Sequence, residues 1–343
     1  MSDIHIRIDD RAGRITLDRP DALNALSYGM ALQIEAAIDD WRHADIDLVM
    51  IDAVGNRAFC AGGDIADMYR SGQEGDLAYG RKFWADEYRL NAKLFAYPKP
   101  IVTFLQGFTM GGGVGIGCHA SHRIVGETSQ IAMPECGIGL VPDVGGSMIL
   151  ARCAGHLGVY LGLTATRMGP ADAIHAGFAD GFVPQADWAA LKTALVAGDT
   201  KVISYKTPPA GVLPSLLADI DQHFAAATLV GIAQSLAADG SAFAAKTQKA
   251  MDRHAPLAMA CSMQIIRALD PAASIREALD LEYRFTYRAV AQGDFIEGIR
   301  AAIIDKDRTP KWAHPAIADV TKDDIKQMLA PLGADGLTWK DDT

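Results

Sequence analysis

Twice in this chain a short apolar run ends in a cluster of glycines and is followed by a helical pattern. "DLVMIDAVG" (47–55) leads through "NRAFCAGGDIADMY", and "PKPIVTFLQGF" (98–108) runs into "TMGGGVGIGCHAS". Apolar runs of this length predict buried strands, and strands joined through helices favour an α/β class. Before them, "IHIRID" and "GRITLD" alternate apolar and polar residues, which predicts a strand pair turning near Asp10–Gly13. Ser27 is placed to cap a helix whose Met30, Ile34, Ile38 and Trp41 recur at helical spacing. "HRIVGE" and "SQIAMPE" predict further short strands. From about residue 215 the pattern becomes Ala-rich and helical. The expected organisation is a core over 1–200 and a mostly helical region over 201–343, with the proline-containing "SYKTPPAGVLP" (204–214) as the connecting segment.

Composition narrows the function classes. The net charge of −10, with no run of Lys or Arg, argues against nucleic acid or an anionic membrane as partner. It leaves room for an anionic small molecule held by backbone N–H groups. The five cysteines (Cys60, Cys118, Cys136, Cys153 and Cys261) are odd in number and form no C-x-x-C, so buried reduced thiols are expected rather than a disulfide framework or a zinc site. "MSDIHIRIDD" lacks a signal-peptide pattern, and the expectation is a cytoplasmic protein.

Glycines at these positions permit tight turns and close helix–strand packing. They also leave N–H groups open at helix N-termini, where an anion or a developing oxyanion can bind. Gly115, Gly117 and Ala120 satisfy only a loose dinucleotide pattern, and no Gly-Lys-Ser/Thr follows either cluster. Downstream, "MPECGIGLVPDVGG" (133–146) carries Glu135 and Asp143 among Gly, Pro, Cys and aliphatic residues. An apolar setting raises a carboxylate's pKa, and a second acid raises one of the pair further. On residues alone, Asp143 could equally be a helix N-cap. Glu87 in "ADEYRLNAKL" could lie on an exposed helix face or pair with Asn91.

"NRAFCAGGDI", "GFTMGGGVGIG" and "MPECGIGLVPDVGG", in this order and after "DRPDALNALS", resemble the crotonase (enoyl-CoA hydratase/isomerase) superfamily. The resemblance implies a spiral of ββα units and an acyl-CoA thioester as substrate, with no cofactor beyond its CoA moiety. Superfamily members often assemble as homo-oligomers; the state here stays open. By motif position the oxyanion donors would be the N–H groups of Gly63 and Gly112. Asn24, Ala25 and Leu26, together with Ala61, Gly62, Gly63, Asp64 and Ile65, would line the CoA. Glu87, Gly112, Glu135 and Asp143 would meet the acyl group.

The sequence departs from the usual hydratase pattern. Gly115 stands two residues after the glycine triplet, where a hydratase has a catalytic Glu, and Asp143 stands where "PGAGG" has Gly. Asp143, "DEYRLN" (86–91) and "GDFIEGIRAAIIDKDRTPKW" (293–312) resemble the 3-hydroxyisobutyryl-CoA hydrolase branch. This resemblance implies hydrolysis of a short 3-hydroxyacyl-CoA in valine catabolism, with Glu135 as nucleophile or general base. Asp143 would then orient water or the substrate hydroxyl, or pass a proton to the thiolate. The alternatives are a hydratase/isomerase acting with Glu135 alone, and a non-catalytic acyl-CoA-binding protein.

Overall fold

The computed structural model describes residues 3–339. The described residues divide into two compact units built from interleaved segments: 3–64, 86–132 and 167–214 form one, and 65–85, 133–166 and 215–339 the other. Both units therefore draw on each side of the boundary expected near residue 200.

The first unit carries all the strands. β1 (Ile4–Asp9) and β2 (Ala12–Leu17) form the expected antiparallel pair, with Asp9 opposite Ala12. β3 (Leu48–Ala53) and β4 (Ala58–Cys60) follow, then β5 (Ile101–Leu105) and β6 (Phe108–Met110), β7 (His122–Val125) and β8 (Gln130–Ala132), and finally β9 (Gly181–Phe182). β2, β3, β5, β7 and β9 pair in parallel in one six-stranded sheet that β1 edges antiparallel, ordered β1-β2-β3-β5-β7-β9. β4, β6 and β8 form a separate three-stranded parallel sheet. Each repeat thus adds one strand to each sheet before the chain turns back, the ββα spiral of the crotonase fold. β3 and β5 are buried along their whole length, as their unbroken apolar runs require. One core cluster packs Leu48, Met50, Val102, Phe104 and Ile124 of this sheet against Trp188, Leu191 and Leu195 of the Trp188–Leu195 helix. Trp188 Nε1 donates to Val183 O at 2.9 Å, so its polar edge is satisfied while the ring meets Phe104 edge-on.

The Tyr28–Trp41 helix begins as the sequence dictates. Ser27 Oγ accepts the Met30 N–H, and Met30, Ile34, Ile38 and Trp41 are buried. Trp41 lies flat against β2: a Cβ on Gly13 would come within 2.5 Å of its ring.

The second unit is helical. Its Pro256–Ala268 helix is buried on nearly every side and packs against the Leu157–Thr164 and Gly146–Ala151 helices. Ser274 and Glu277 cap the Ile275–Gln292 helix reciprocally. Among the described residues no single helix is long and apolar enough to cross a membrane, and no group of His, Cys, Asp and Glu could hold a metal ion.

Close backbone approach sets the Gly112–Gly117 helix. A Cβ on Gly113 would lie 2.1 Å from the carbonyl oxygen of Cys60 in β4, and neither backbone can yield easily. Gly113→Ala is expected to lower stability by about 3 kcal/mol. Gly29→Ala, on a helix position with nothing near, is expected to cause no loss. Urea midpoints of both variants check this.

Candidate active site

In the first unit the two glycine loops are tied by one parallel bridge between Leu26 and Gly63. Leu26 N–H donates to Gly62 O at 2.9 Å, and Asp64 N–H donates to Leu26 O at 2.8 Å. Such a bridge uses the neighbours of Gly63 and leaves its own N–H pointing away. Gly112 opens a helix, so its N–H has no carbonyl one turn earlier. Neither N–H finds an acceptor among the described residues. A Cβ on Gly112 would stand 3.4 Å from Gly63 N and 2.8 Å from Glu87 Oε1. Two open N–H groups and one carboxylate therefore crowd a spot that any side chain at 112 would fill. Glu87 is only 3% exposed, which overturns its reading as a residue of an exposed helix face.

The residues expected to line CoA divide by role. Asn24 is buried and its amide is spent internally. Nδ2 donates to Val54 O and Ala58 O, and Oδ1 accepts from Arg19 N–H. Leu23 and Asn24 both take left-handed backbone conformations (φ 52° and 54°), which these bonds hold in place. Leu26 is fully buried, while Ala25, Ala61, Gly62, Gly63 and Asp64 are half-buried. Ile65, in the second unit, precedes the Ala66–Gln73 helix. Sequence reasoning missed Arg19. Its guanidinium donates to Ala25 O and to Asp64 Oδ2, both at 2.8 Å, and so joins the two loops. Cys60 is buried and burial pushes its thiol up to about 12, which fits a packing residue rather than a nucleophile.

In the second unit Glu135 opens a tight turn, Glu135–Ile138, directly after Pro134. Ala255 N–H donates to Cys136 O, and the Cys136 thiol meets the Ser262 hydroxyl at 3.3 Å. The C-terminal "GDFIEGIRAA" segment backs the same turn. A Cβ on Gly298 would lie 2.2 Å from Ile138 O, and one on Gly139 would lie 2.6 Å from the Asp294 backbone. Glu135 is 4% exposed and its Oε2 has no hydrogen-bond partner. Burial raises its carboxyl well above the ordinary range, and the nearby Asp143 and Glu282 carboxylates raise it further.

Asp143, also buried, precedes Val144 and Gly145, both in left-handed conformations (φ 54° and 79°). Its reading as an N-cap is not realised. The Gly146–Ala151 helix takes Gly145 at its N-cap without a side-chain bond, and its open N–H groups go instead to Glu282. Gly145 N–H reaches Glu282 Oε2 at 2.9 Å, and Ser147 N–H reaches Oε1 at 3.1 Å. The Ser147 hydroxyl also bonds Oε1. Glu282 is fully buried on the Ile275–Gln292 helix. Burial pushes its carboxyl up to about 8, against the lowering effect of these bonds, and Asp143 adds to the rise. No motif had marked Glu282.

The profile of the enoyl-CoA hydratase/isomerase family matches residues 12–329. The chain belongs to this family. It is an enzyme of the crotonase type, acting on acyl-CoA thioesters. It is 57% identical to a solved enoyl-CoA hydratase from Rhodobacter sphaeroides 2.4.1, with a TM-score of 0.97 over 98% of this chain and 100% of that one. It is 34% identical to a carnitinyl-CoA dehydratase from Mycobacterium thermoresistibile, with a TM-score of 0.94 over 99% and 100%. It is also 37% identical to the mitochondrial 3-hydroxyisobutyryl-CoA hydrolase of Rattus norvegicus, covering 96% of this chain and 89% of that one.

Two expectations are corrected by these relatives. The expected 3-hydroxyacyl-CoA hydrolase is overturned by the much higher identity to an enoyl-CoA hydratase. That reading rested on Gly115, Asp143, the 86–91 segment and the 293–312 segment. The expected cytoplasmic location is overturned because the curated relatives, in fish and frogs as in mammals, are mitochondrial proteins.

The raised Glu135 has a consequence for stability. The folded protein keeps a proton that the unfolded chain releases above about pH 4.5, so this contribution to stability is present below that pH and is lost as pH rises toward the folded-state pKa. Relative to Glu135→Gln, the wild type is expected to lose stability as pH rises above about 5, until the folded-state pKa is passed, by up to about 1.4 kcal/mol per pH unit. Urea denaturation across that range measures it; parallel curves would contradict the burial argument.

Proposed function

We propose that this enzyme is a hydratase/isomerase that works on a short 2-enoyl-CoA with Glu135 as its single acid–base group. The observation that carries the reading is the buried Glu135 carboxyl, with Oε2 unpartnered and its pKa raised by burial. A strongly basic carboxylate in a dry setting is suited to moving one proton between water and carbon.

In this reading the thioester oxygen accepts the Gly63 and Gly112 N–H groups, which stabilise the enolate. Ionised Glu135 takes a proton from water as the oxygen bonds to C3. The C2–C3 π electrons move through C2 onto the thioester oxygen. Glu135 then returns the proton to C2 as the carbonyl re-forms. Asp143 orients the water. Glu87, over Gly112, meets the acyl end, and the loops tied by Arg19 meet CoA. Gly115 supplies no second acid, so one carboxyl serves both half-steps.

The test is hydration of crotonyl-CoA, followed by loss of the enoyl absorbance, with CoA thiol release read in parallel. Glu135→Gln is expected to reduce hydration by about 10²–10⁴-fold. In the wild type kcat/KM should keep rising with pH beyond the ordinary carboxylate range, because the ionised fraction of a raised carboxyl grows with pH. Thiol release without hydration, or full hydration by Glu135→Gln, would overturn the proposal.

A further inference from the structure

Glu282 lies far from every motif, yet it is the group to which the Asp143 loop is tied. All three of its partners, Gly145 N–H, Ser147 N–H and the Ser147 hydroxyl, follow Asp143 within four residues, and they divide between its two oxygens. The loop they belong to needs holding. Val144 is β-branched and sits at φ 54°, followed at once by Gly145 at φ 79°, a sequence of conformations an L residue does not adopt without compensation. Asp143 O receives the Gly146 N–H at 2.7 Å, a turn local to the loop itself. The tie to Glu282 spans 137 residues and fixes the loop to the Ile275–Gln292 helix.

From this geometry we propose that Glu282 is a positioning residue for the acid pair: its carboxylate clamps the loop by three hydrogen bonds and so holds Asp143 in place beside Glu135. The inference rests on the reading that Glu135 does the acid–base work, and it adds a residue that touches neither substrate nor water. The chemistry requires a carboxyl group, with an oxygen rather than an amide NH₂ at each position. Both oxygens accept backbone N–H donors, and a glutamine offers only one acceptor, turning its NH₂ group against Gly145 N–H or Ser147 N–H. The Ser147 hydroxyl can donate to an ionised Glu282 or accept from a protonated one, so the clamp survives a change of protonation. Removing a proton from the cluster therefore need not release the loop.

The experiment compares wild type, Glu282→Gln, Glu282→Asp and Ser147→Ala. Each is tested for turnover of crotonyl-CoA, with enoyl loss and thiol release both followed, and for thermal midpoint and amide hydrogen exchange at Gly145 and Ser147. Glu282→Gln should lower kcat on the order of tenfold to a hundredfold, leave KM within about twofold, and speed exchange at Gly145 and Ser147 by about tenfold or more, an opening more than 1.4 kcal/mol easier. Glu282→Asp keeps both acceptors and should recover part of kcat. Ser147→Ala loses one bond and should fall between. Wild-type kcat in Glu282→Gln, or exchange unchanged at both amides, overturns the proposal. So does a fall of kcat, KM and thermal midpoint together without recovery in Glu282→Asp, because that is loss of fold. Wild-type thiol release without hydration would sink the hydratase reading alone, with the Glu282 effect then read on that reaction. Exchange tests the clamp whichever thioester reacts.

Discussion

Burying carboxyl groups without a cation is costly, and the second unit does it at one place with Glu135 and Glu282, near the buried Asp143. Neither Glu135 nor Glu282 pairs with Lys or Arg among the described residues, and each is pushed upward first by burial and then by its acidic neighbours. The structure lowers the cost in two ways. It keeps protons on the cluster, and it supplies backbone N–H donors, which are partial positive charges that cannot leave. Those donors come from the start of the Gly146–Ala151 helix, and exposing them requires two successive left-handed residues. Around the cluster, the Pro256–Ala268 helix, the Gly298 contact and the Asp294 backbone all serve to place one turn and one loop.

The first unit solves a different problem, which is to leave two N–H groups open in a largely buried region. It does so by geometry. The Leu26–Gly63 bridge spends the atoms on either side of Gly63, and Gly112 stands at a helix start. The ββα spiral makes both possible, because each even strand ends where a loop must turn, and β4 and β6 are adjacent in the small sheet. Arg19 then fixes the two loops together through Ala25 and Asp64, while Asn24 anchors its own loop inward. The N–H pair is thus an outcome of sheet pairing, and its precision depends on packing as tight as the Gly113–Cys60 contact.

Local order was readable in the chain. The β1–β2 pair, the Ser27 cap and its helix face, the buried runs of β3 and β5 and the glycine loops follow from periodicity and residue type over a few positions. The buried setting of Glu135 and Asp143 was readable for the same reason, since their neighbours in sequence are also apolar. What escaped depends on distance along the chain. Glu282 sits in an ordinary amphipathic helix, and only folding brings it to Gly145 and Ser147. The same contact explains why Asp143 does not cap: the helix start is already satisfied from outside. For Glu87 the residues alone left an exposed helix face open beside the substrate-facing reading, because helical spacing does not say which face is covered. The two units interleave because the spiral returns to each of them several times, which no composition shift along the chain can reveal. The branch-level reading failed for the opposite reason. A few local motifs, at Gly115, Asp143, 86–91 and 293–312, were given more weight than the identity spread over the whole chain.

The central claim is that Glu135 is a buried carboxyl that holds its proton well above the ordinary carboxylate range and is a strong base once ionised. Isotope-edited infrared difference spectroscopy of protein labelled at glutamate carboxyls, wild type against Glu135→Gln, measures this directly. The account predicts a protonated carboxylic C=O band, absent from the variant, that persists in the wild type to higher pH than the bands of exposed glutamates and then fades. A Glu135 band that fades together with those of the exposed glutamates would contradict it.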